Sequence, residues 1–373
     1  MKKILFLTGT RADFGKLKSL ITKVDQHSDF EAHIFITGMH MIAKYGMTAI
    51  EVEKAGFKSL YKYINQNGHD SMDVVLSKTI QGLSDYVKEL RPDMIVVHGD
   101  RVEAMAGAIV GALNNILVSH IEGGEVSGTI DELIRHSVSK MSHLHFVSNE
   151  KARKRLIQLG ELDSSIYVIG SPDLDIMNSK ELPSLEDVKS KYEINFDDYG
   201  VLMYHPVTTE LDELKSNIEN TVSGVINSNR NFIVIYPNND HGSDVIIAEY
   251  ERFRHLDNIR VYPSIRFECF LTLLKNADFI IGNSSAGIRE MPFYGKPTIN
   301  LGSRQSNRSR APSIINIKEN AKDIEKEIYN LNEDYCQKTE EFGFGNSDAL
   351  FMEALSKEKL WNTEKQKVFL DIK

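Results

Sequence analysis

Gly9-Thr10-Arg11 closes the first apolar run of the chain, Ile4 to Leu7, and Gly282-Asn283-Ser284-Ser285-Ala286-Gly287-Ile288-Arg289-Glu290 closes a late one, Phe279 to Ile281. At both places an apolar run gives way to small residues and then to a helical pattern. In an α/β sheet that junction is the ligand-facing end of a strand, where backbone N–H groups and a helix N-terminus meet an anion. Two such junctions in two half-chains predict two Rossmann-like domains facing a cleft. One then holds a phosphorylated leaving group and the other carries the chemistry done on it.

The remaining pattern agrees with that architecture. Short β-branched runs alternate with amphipathic stretches, as in a parallel sheet covered by helices. Expected strands in the first half are Ile4–Thr8, His33–Thr37, Met94–Val97, Leu117–His120, Leu144–Ser148 and Ile166–Ile169. The second half offers Val201–Tyr204, Phe232–Tyr236, Ile259–Tyr262, Phe279–Ile281, Thr298–Leu301 and Ile314–Ile317. Residues 1–173 form the first domain and 200–350 the second, with a charged linker at 174–199. The stretch Ser347–Phe369 reads as helical, and its part from 351 to 373 is expected to pack back across the hinge onto the first domain.

Composition narrows the function. With 373 residues, 41% hydrophobic and 26% charged, the chain suits a soluble two-domain protein. A net charge of -9 argues against a nucleic-acid or anionic-membrane partner. No stretch is long and apolar enough to span a bilayer, and the N-terminal run reads as a strand rather than a signal peptide. Cys269 and Cys336 have no metal-ligand spacing; each is expected to be a buried thiol, in keeping with a cytoplasmic setting.

Three acids follow strands or open a helix: Asp100 in His98-Gly99-Asp100-Arg101, Glu122 in His120-Ile121-Glu122-Gly123-Gly124, and Asp131 in Thr129-Ile130-Asp131-Glu132. Converging on one sheet edge, they can share acid–base work. Asp131 has a second reading on spacing alone, as a helix-end charge beside a Thr129-x-x-Glu132 capping box. Asp100 can instead close an Asx-turn. Glu122, between an apolar strand and two glycines, is hard to explain as solvated surface. His205, in Tyr204-His205-Pro206, ends the first strand of the second domain. Gly302–Arg310 concentrates arginines in an acidic protein, and Arg304 and Arg308 there, with Arg11, suit a diphosphate clamp. Ser284, Ser285 and the N–H groups after them would receive phosphate at a helix N-terminus, and Glu290, one or two turns into that helix, would take a ribose diol.

Taken together these strings resemble the hydrolysing UDP-N-acetylglucosamine 2-epimerases of bacterial sialic-acid pathways, over nearly the whole chain. The likeness runs through Gly9–Lys16, Thr37–His40, His98–Asp100, His120–Gly124, Asp131–His136, Gly170–Asp173, His205-Pro206, Pro237–Asp240, Gly282–Glu290 and Arg304–Arg308. It implies a fold like the GT-B glycosyltransferases and catalytic roles for Asp100, Glu122, Asp131 and His205. It also implies a UDP site from Arg11, Arg266, Asn283, Ser284, Ser285, Gly287, Glu290, Arg304 and Arg308. Non-hydrolysing relatives carry His-x-Glu-Ala-Gly and Pro-Glu-Glu where this chain has His120-Ile121-Glu122-Gly123-Gly124 and Ile130-Asp131-Glu132. That difference favours the hydrolysing branch and sets Asp131 among the catalytic acids.

The implied reaction is anti elimination of UDP to a glycal, then syn hydration to N-acetylmannosamine. No cofactor is expected, because no hydride leaves the site, and no protein-bound metal, because no H-E-x-x-H or other ligand spacing occurs. The expected partner is a UDP-sugar, and a homo-oligomer, dimer or tetramer, is anticipated. Competing readings are a UDP-2,4-diacetamido-trideoxyhexose substrate, as in legionaminic-acid pathways, a GT-B glycosyltransferase, and a non-catalytic nucleotide-sugar-binding regulator.

Overall fold

All strand pairings described below are parallel, and the strands are apolar on both faces. Ile4, Leu5 and Phe6 are each fully buried, as a strand covered by helices on two sides requires. The computed structural model describes residues 1–67, 70–127, 129–179 and 182–371. It divides into two units, the first made of Met1–Glu125, Asp131–Ser179 and Glu341–Lys373, the second of Val126–Ile130 and Lys180–Glu340.

In the first unit the strands are β1 (Lys2–Thr8), β2 (Phe30–Ile36), β3 (Leu60–Lys62), β4 (Met94–His98), β5 (Leu117–Ile121), β6 (Leu144–Val147) and β7 (Ile166–Val168). They pair in the order β3-β2-β1-β4-β5-β6-β7. The order reverses between β1 and β4, so the loops after these two strands splay apart and open a crevice for a ligand. Gly9 follows β1, Gly99 and Asp100 follow β4, and Glu122 follows β5. Only β3 escaped the sequence reading: three residues at the sheet edge, largely exposed, show no alternation to read.

The second unit repeats the plan with β8 (Gly200–Met203), β9 (Phe232–Ile235), β10 (Ile259–Tyr262), β11 (Phe279–Gly282), β12 (Thr298–Leu301) and β13 (Ile314–Ile317). Their order is β10-β9-β8-β11-β12-β13, reversing between β8 and β11. Gly282 lies opposite Met203 in that pairing. Its φ is +129°, and a Cβ there would come within 2.0 Å of the Met203 carbonyl oxygen, so only glycine lets β11 end beside β8.

The end of the chain belongs to the core of the first unit. Helix Ser347–Leu355 buries Phe351, Ala354 and Leu355, and Phe351 meets Phe146 of β6 edge-on at 4.7 Å. Asp175 holds the start of this helix, its carboxylate accepting from the backbone N–H of Ser347 at 2.7 Å and of Asp348 at 2.9 Å. Trp361 stacks on Phe30 at 5.8 Å.

Three expectations are corrected. The continuous helix read over Ser347–Phe369 and on to 373 stops at Leu355, with a single further turn at Glu358–Trp361. Its tail is instead tied down by polar contacts: Lys367 binds Glu161, and the Lys365 carbonyl lies 2.9 Å from His143 Nε2. Residues 372 and 373 lie outside the described residues. The segment read as one linker holds two helices in different units, Asp173–Met177 and Leu185–Lys191, with residues 180 and 181 between them not described. Cys269 is buried but Cys336 is exposed, following a single turn, Glu333–Tyr335, that itself buries no residue.

Replacing Phe351 removes a buried aromatic from a shared core. Phe351→Ala is expected to lower the stability of the first unit by about 3–5 kcal/mol. Urea unfolding followed by the fluorescence of Trp361, which packs in the same unit, measures it; a loss under about 1 kcal/mol would show the helix to be dispensable to that core.

Candidate active site

Glu122 sits in the left-handed region, φ +66°, where a side chain other than glycine is strained. Its N–H donates to the Phe146 carbonyl at 2.9 Å, which fixes the turn leaving β5. The carboxylate is 4% exposed and gathers cations and a donor. Ser171 Oγ donates to Oε1 at 2.7 Å, Lys16 Nζ is 3.8 Å from Oε1, and His98 Nε2 is 3.3 Å from Oε2. Lys16 also lies 3.3 Å from the fully buried Asp173.

His98 ends β4 and spans two acids, with Nδ1 2.8 Å from Asp13 Oδ1. Asp13 in turn accepts from the Gly9 N–H at 3.0 Å. Burial alone would push His98 down, but Glu122 and Asp13 outweigh it and raise the imidazole from 6.5 to about 9. It is therefore a cation at neutral pH. His120 behaves oppositely: burial lowers it to about 3. Its Nε2 carries the proton, because it faces the Gly99 carbonyl at 2.8 Å, while Nδ1 faces Ser139 Oγ at 3.0 Å. That contact pins the turn between His98 and Asp100.

Asp100 pairs with Arg135, a guanidinium only 2% exposed. Arg135 belongs to helix Ile130–Met141, whose first turn contains Asp131. Asp131 is one turn before Arg135 and so shares its helix face. Its first-turn position agrees with either reading of it; Gly128, just before, lies outside the described residues. Arg11 opens helix Arg11–Asp25, with its guanidinium 3.7 Å from Glu51. The structure thus joins Glu122 to Asp13, Lys16, His98, Ser171 and Asp173, and Asp100 to Arg135, residues that lie inside the strings carrying the family likeness but to which the sequence assigned no role. Among the described residues no group of three His, Cys, Asp or Glu is arranged to hold a metal ion.

In the second unit one side chain organises the strand ends. Asn283, fully buried after β11, accepts from the His205 N–H at 2.7 Å and donates to the His205 carbonyl at 2.9 Å. The Asn238 N–H donates to His205 Nδ1 at 3.0 Å, so the neutral imidazole carries its proton on Nε2. The Asn283 carbonyl accepts from Arg304 Nη1 at 3.2 Å and from Gln305 Nε2 at 2.9 Å. Gln305 Oε1 then accepts from Arg308 Nη1 at 2.8 Å. His205, Asn283, Arg304 and Arg308 therefore form one connected group.

The loop after Asn283 departs from expectation. Ser284 caps a single 3-10 turn, Ser285–Gly287, its hydroxyl accepting from the Ala286 N–H at 3.3 Å. A separate helix follows, Glu290–Tyr294, so Glu290 opens it rather than lying one or two turns in. Pro292 explains the break: without an N–H it cannot donate back to Ile288, and proline belongs in a first turn. Glu290 is 2% exposed, and Gly287 packs under Thr298, whose hydroxyl donates to its carbonyl at 2.7 Å. Arg266 stands immediately before helix Phe267–Asn276, and its Nε is 3.0 Å from Glu268 Oε2.

A family model described as UDP-N-acetylglucosamine 2-epimerase matches residues 22–356. The chain belongs to the UDP-N-acetylglucosamine 2-epimerase family. One family member, the UDP-N-acetylglucosamine 2-epimerase of Neisseria meningitidis serogroup B, is 47% identical over 381 residues and matches along 100% of both chains. Another, the UDP-N,N'-diacetylbacillosamine 2-epimerase (hydrolyzing) of Legionella pneumophila, is 32% identical over 85% of each chain. The epimerase fold is shared more widely. A crystal structure of a UDP-GlcNAc 2-epimerase from Neisseria meningitidis bound to UDP-GlcNAc has a TM-score of 0.81 at 18% identity, covering 95% of this chain and 99% of that one. No helix among the described residues is long and apolar enough to cross a membrane.

Because the folded His98 holds its proton to about 9 rather than 6.5, its ion pairs stabilise the protein fully below pH 6.5, and that contribution is lost as pH rises through 9. Over that window the melting temperature of the wild type should fall more steeply than that of His98→Gln, which has no charge there to lose. Calorimetry across the window checks this, and parallel slopes would mean that the imidazole is already neutral in the folded protein.

Proposed function

We propose that this chain is a hydrolysing 2-epimerase converting UDP-N-acetylglucosamine and water to N-acetylmannosamine and UDP, for sialic-acid biosynthesis. The observation that carries the reading is the pair of carboxylates at neighbouring strand ends, Glu122 after β5 and Asp100 after β4, each held by buried cations. Its chemistry calls for such groups. The C2 hydrogen of the sugar has no adjacent carbonyl to acidify it, so direct carbanion formation is ruled out on energy. Departure of UDP from C1 leaves an oxocarbenium-like centre, and that charge makes the C2 proton removable.

In the elimination the C1–O bond to UDP breaks and a carboxylate takes the C2 proton, leaving a C1–C2 double bond. Hydration then places a water oxygen on C1 and a proton on C2 from the other face. Asp100 and Asp131 are assigned the proton transfers and Glu122 the activation of water. His205, with its proton on Nε2, donates to the departing phosphate. The UDP site is assigned to Arg11, Arg266, Asn283, Ser284, Ser285, Gly287, Glu290, Arg304 and Arg308; the buried Asn283 group, with its two arginines, is its best-supported part. The Legionella relative, whose name states hydrolysis, supports the hydrolysing branch. It also supports a second reading, in which the sugar is a diacetamido-trideoxyhexose and the same acids act.

NMR of the sugar released from UDP-N-acetylglucosamine decides between these. N-acetylmannosamine with UDP, and no added metal or nicotinamide, is expected. Accumulating UDP-N-acetylmannosamine would make the enzyme non-hydrolysing, and turnover of the diacetamido sugar alone would favour the second reading.

Asp100→Asn, Glu122→Gln and Asp131→Asn should each lower turnover by about 10²–10⁴-fold while UDP still binds. Loss of the C2 base stops UDP release and solvent-deuterium exchange together, whereas loss of the hydrating group lets UDP leave and the glycal build up. Near-normal turnover in Asp131→Asn, with a lowered melting temperature, would return Asp131 to a helix-end role.

A further inference from the structure

Gln305 is 4% exposed, and both ends of its amide are engaged: Nε2 donates to the Asn283 carbonyl at 2.9 Å and Oε1 accepts from Arg308 Nη1 at 2.8 Å. Arg308 is itself 9% exposed, so its side chain is oriented by what surrounds it rather than by solvent. At the other end of the brace, Asn283 holds both backbone groups of His205. We infer that Gln305 is a positioning residue for anion binding, its amide aligning the Arg308 guanidinium with the strand end that carries His205. The inference rests on the proposed UDP site and extends it to a residue that would not itself touch the ligand.

An amide is chemically suited to this place. It must donate to a carbonyl and accept from a guanidinium at once, and glutamine does both without charge. A carboxylate of the same shape would face the Asn283 carbonyl with an oxygen and add a negative charge beside two arginines meant for a diphosphate. A short apolar side chain would remove the amide acceptor that Gln305 offers Arg308. In both cases the effect falls on the geometry and field that a phosphate meets.

The test is UDP affinity by calorimetry in Gln305→Ala, Gln305→Glu, Arg308→Ala and the Gln305→Ala/Arg308→Ala pair, with circular dichroism and melting curves for each. Arg308→Ala should weaken UDP binding by roughly 10- to 100-fold, the scale for a lost hydrogen bond to a charged group. Gln305→Ala and Gln305→Glu should each weaken it by about tenfold in protein that remains folded. The double variant should bind UDP no more weakly than Arg308→Ala alone, because the inferred route from Gln305 to the anion runs through that arginine.

Should Gln305→Ala not fold, Gln305→Met, close in volume and without the amide, replaces it in the cycle. A role in stability alone would lower the melting temperature and leave UDP affinity within about twofold of wild type. That result overturns the inference, and so do losses that add fully in the double variant. Wild-type protein that binds no UDP overturns the proposed function and this inference with it; wild type that binds while the Gln305 variants bind equally well overturns this inference alone.

Discussion

A carboxylate taken out of water must find its compensation inside the protein, and Glu122 sets that requirement for the first unit. Desolvating an unpaired carboxylate costs several kcal/mol, so the groups around it are a condition of its being there. His98 and Lys16 bring positive charge and Ser171 a hydroxyl, from the end of β4, the first helix and the turn before helix Asp173–Met177. The two cations each answer to a further acid, His98 to Asp13 and Lys16 to Asp173. The motif at Gly9 is thereby tied to the carboxylate after β5 through one protonated imidazole.

In the second unit the path that joins a histidine to an arginine is made of neutral groups. Amides, backbone N–H groups and carbonyls connect His205 to Arg308 through Asn283 and Gln305. Such groups orient an arginine without cancelling its charge, which a carboxylate would do. The two sheets share the order of their first six strands; Glu122, after β5 of the first, is met by charged groups, whereas the path from His205 to Arg308 in the second runs through amides and backbone groups.

Much of this was legible in the sequence, for physical reasons. Strands buried on both faces write themselves as unbroken apolar runs, so both sheets could be read, while the three exposed residues of β3 could not. Glu122 stood out because an acid between an apolar strand and two glycines has no surface explanation. Its pairing with Lys16, His98 and Asp173 was not legible, because these residues are distant in sequence and only the fold brings them together. Arg135 looked like any helical arginine until its helix was placed beside Asp100. Gln305 lay hidden among arginines in a loop where charge drew the eye. The turn after Asn283 was misjudged because a run of small residues resembles a helix start, while Pro292 moved the helix to Glu290.

The placement of Phe351 within the first core also bears on how the molecule is made. Residues 180–340 of the second unit are contiguous, so that sheet can close as soon as it leaves the ribosome. The first sheet, although synthesised earlier, must keep the surface around Phe146 and Phe30 uncovered until Phe351 and Trp361 emerge. The seat beside Phe146 stays open to solvent while the whole of Lys180–Glu340 is translated. Of the two units, the one whose chain starts earlier is thus the one completed later.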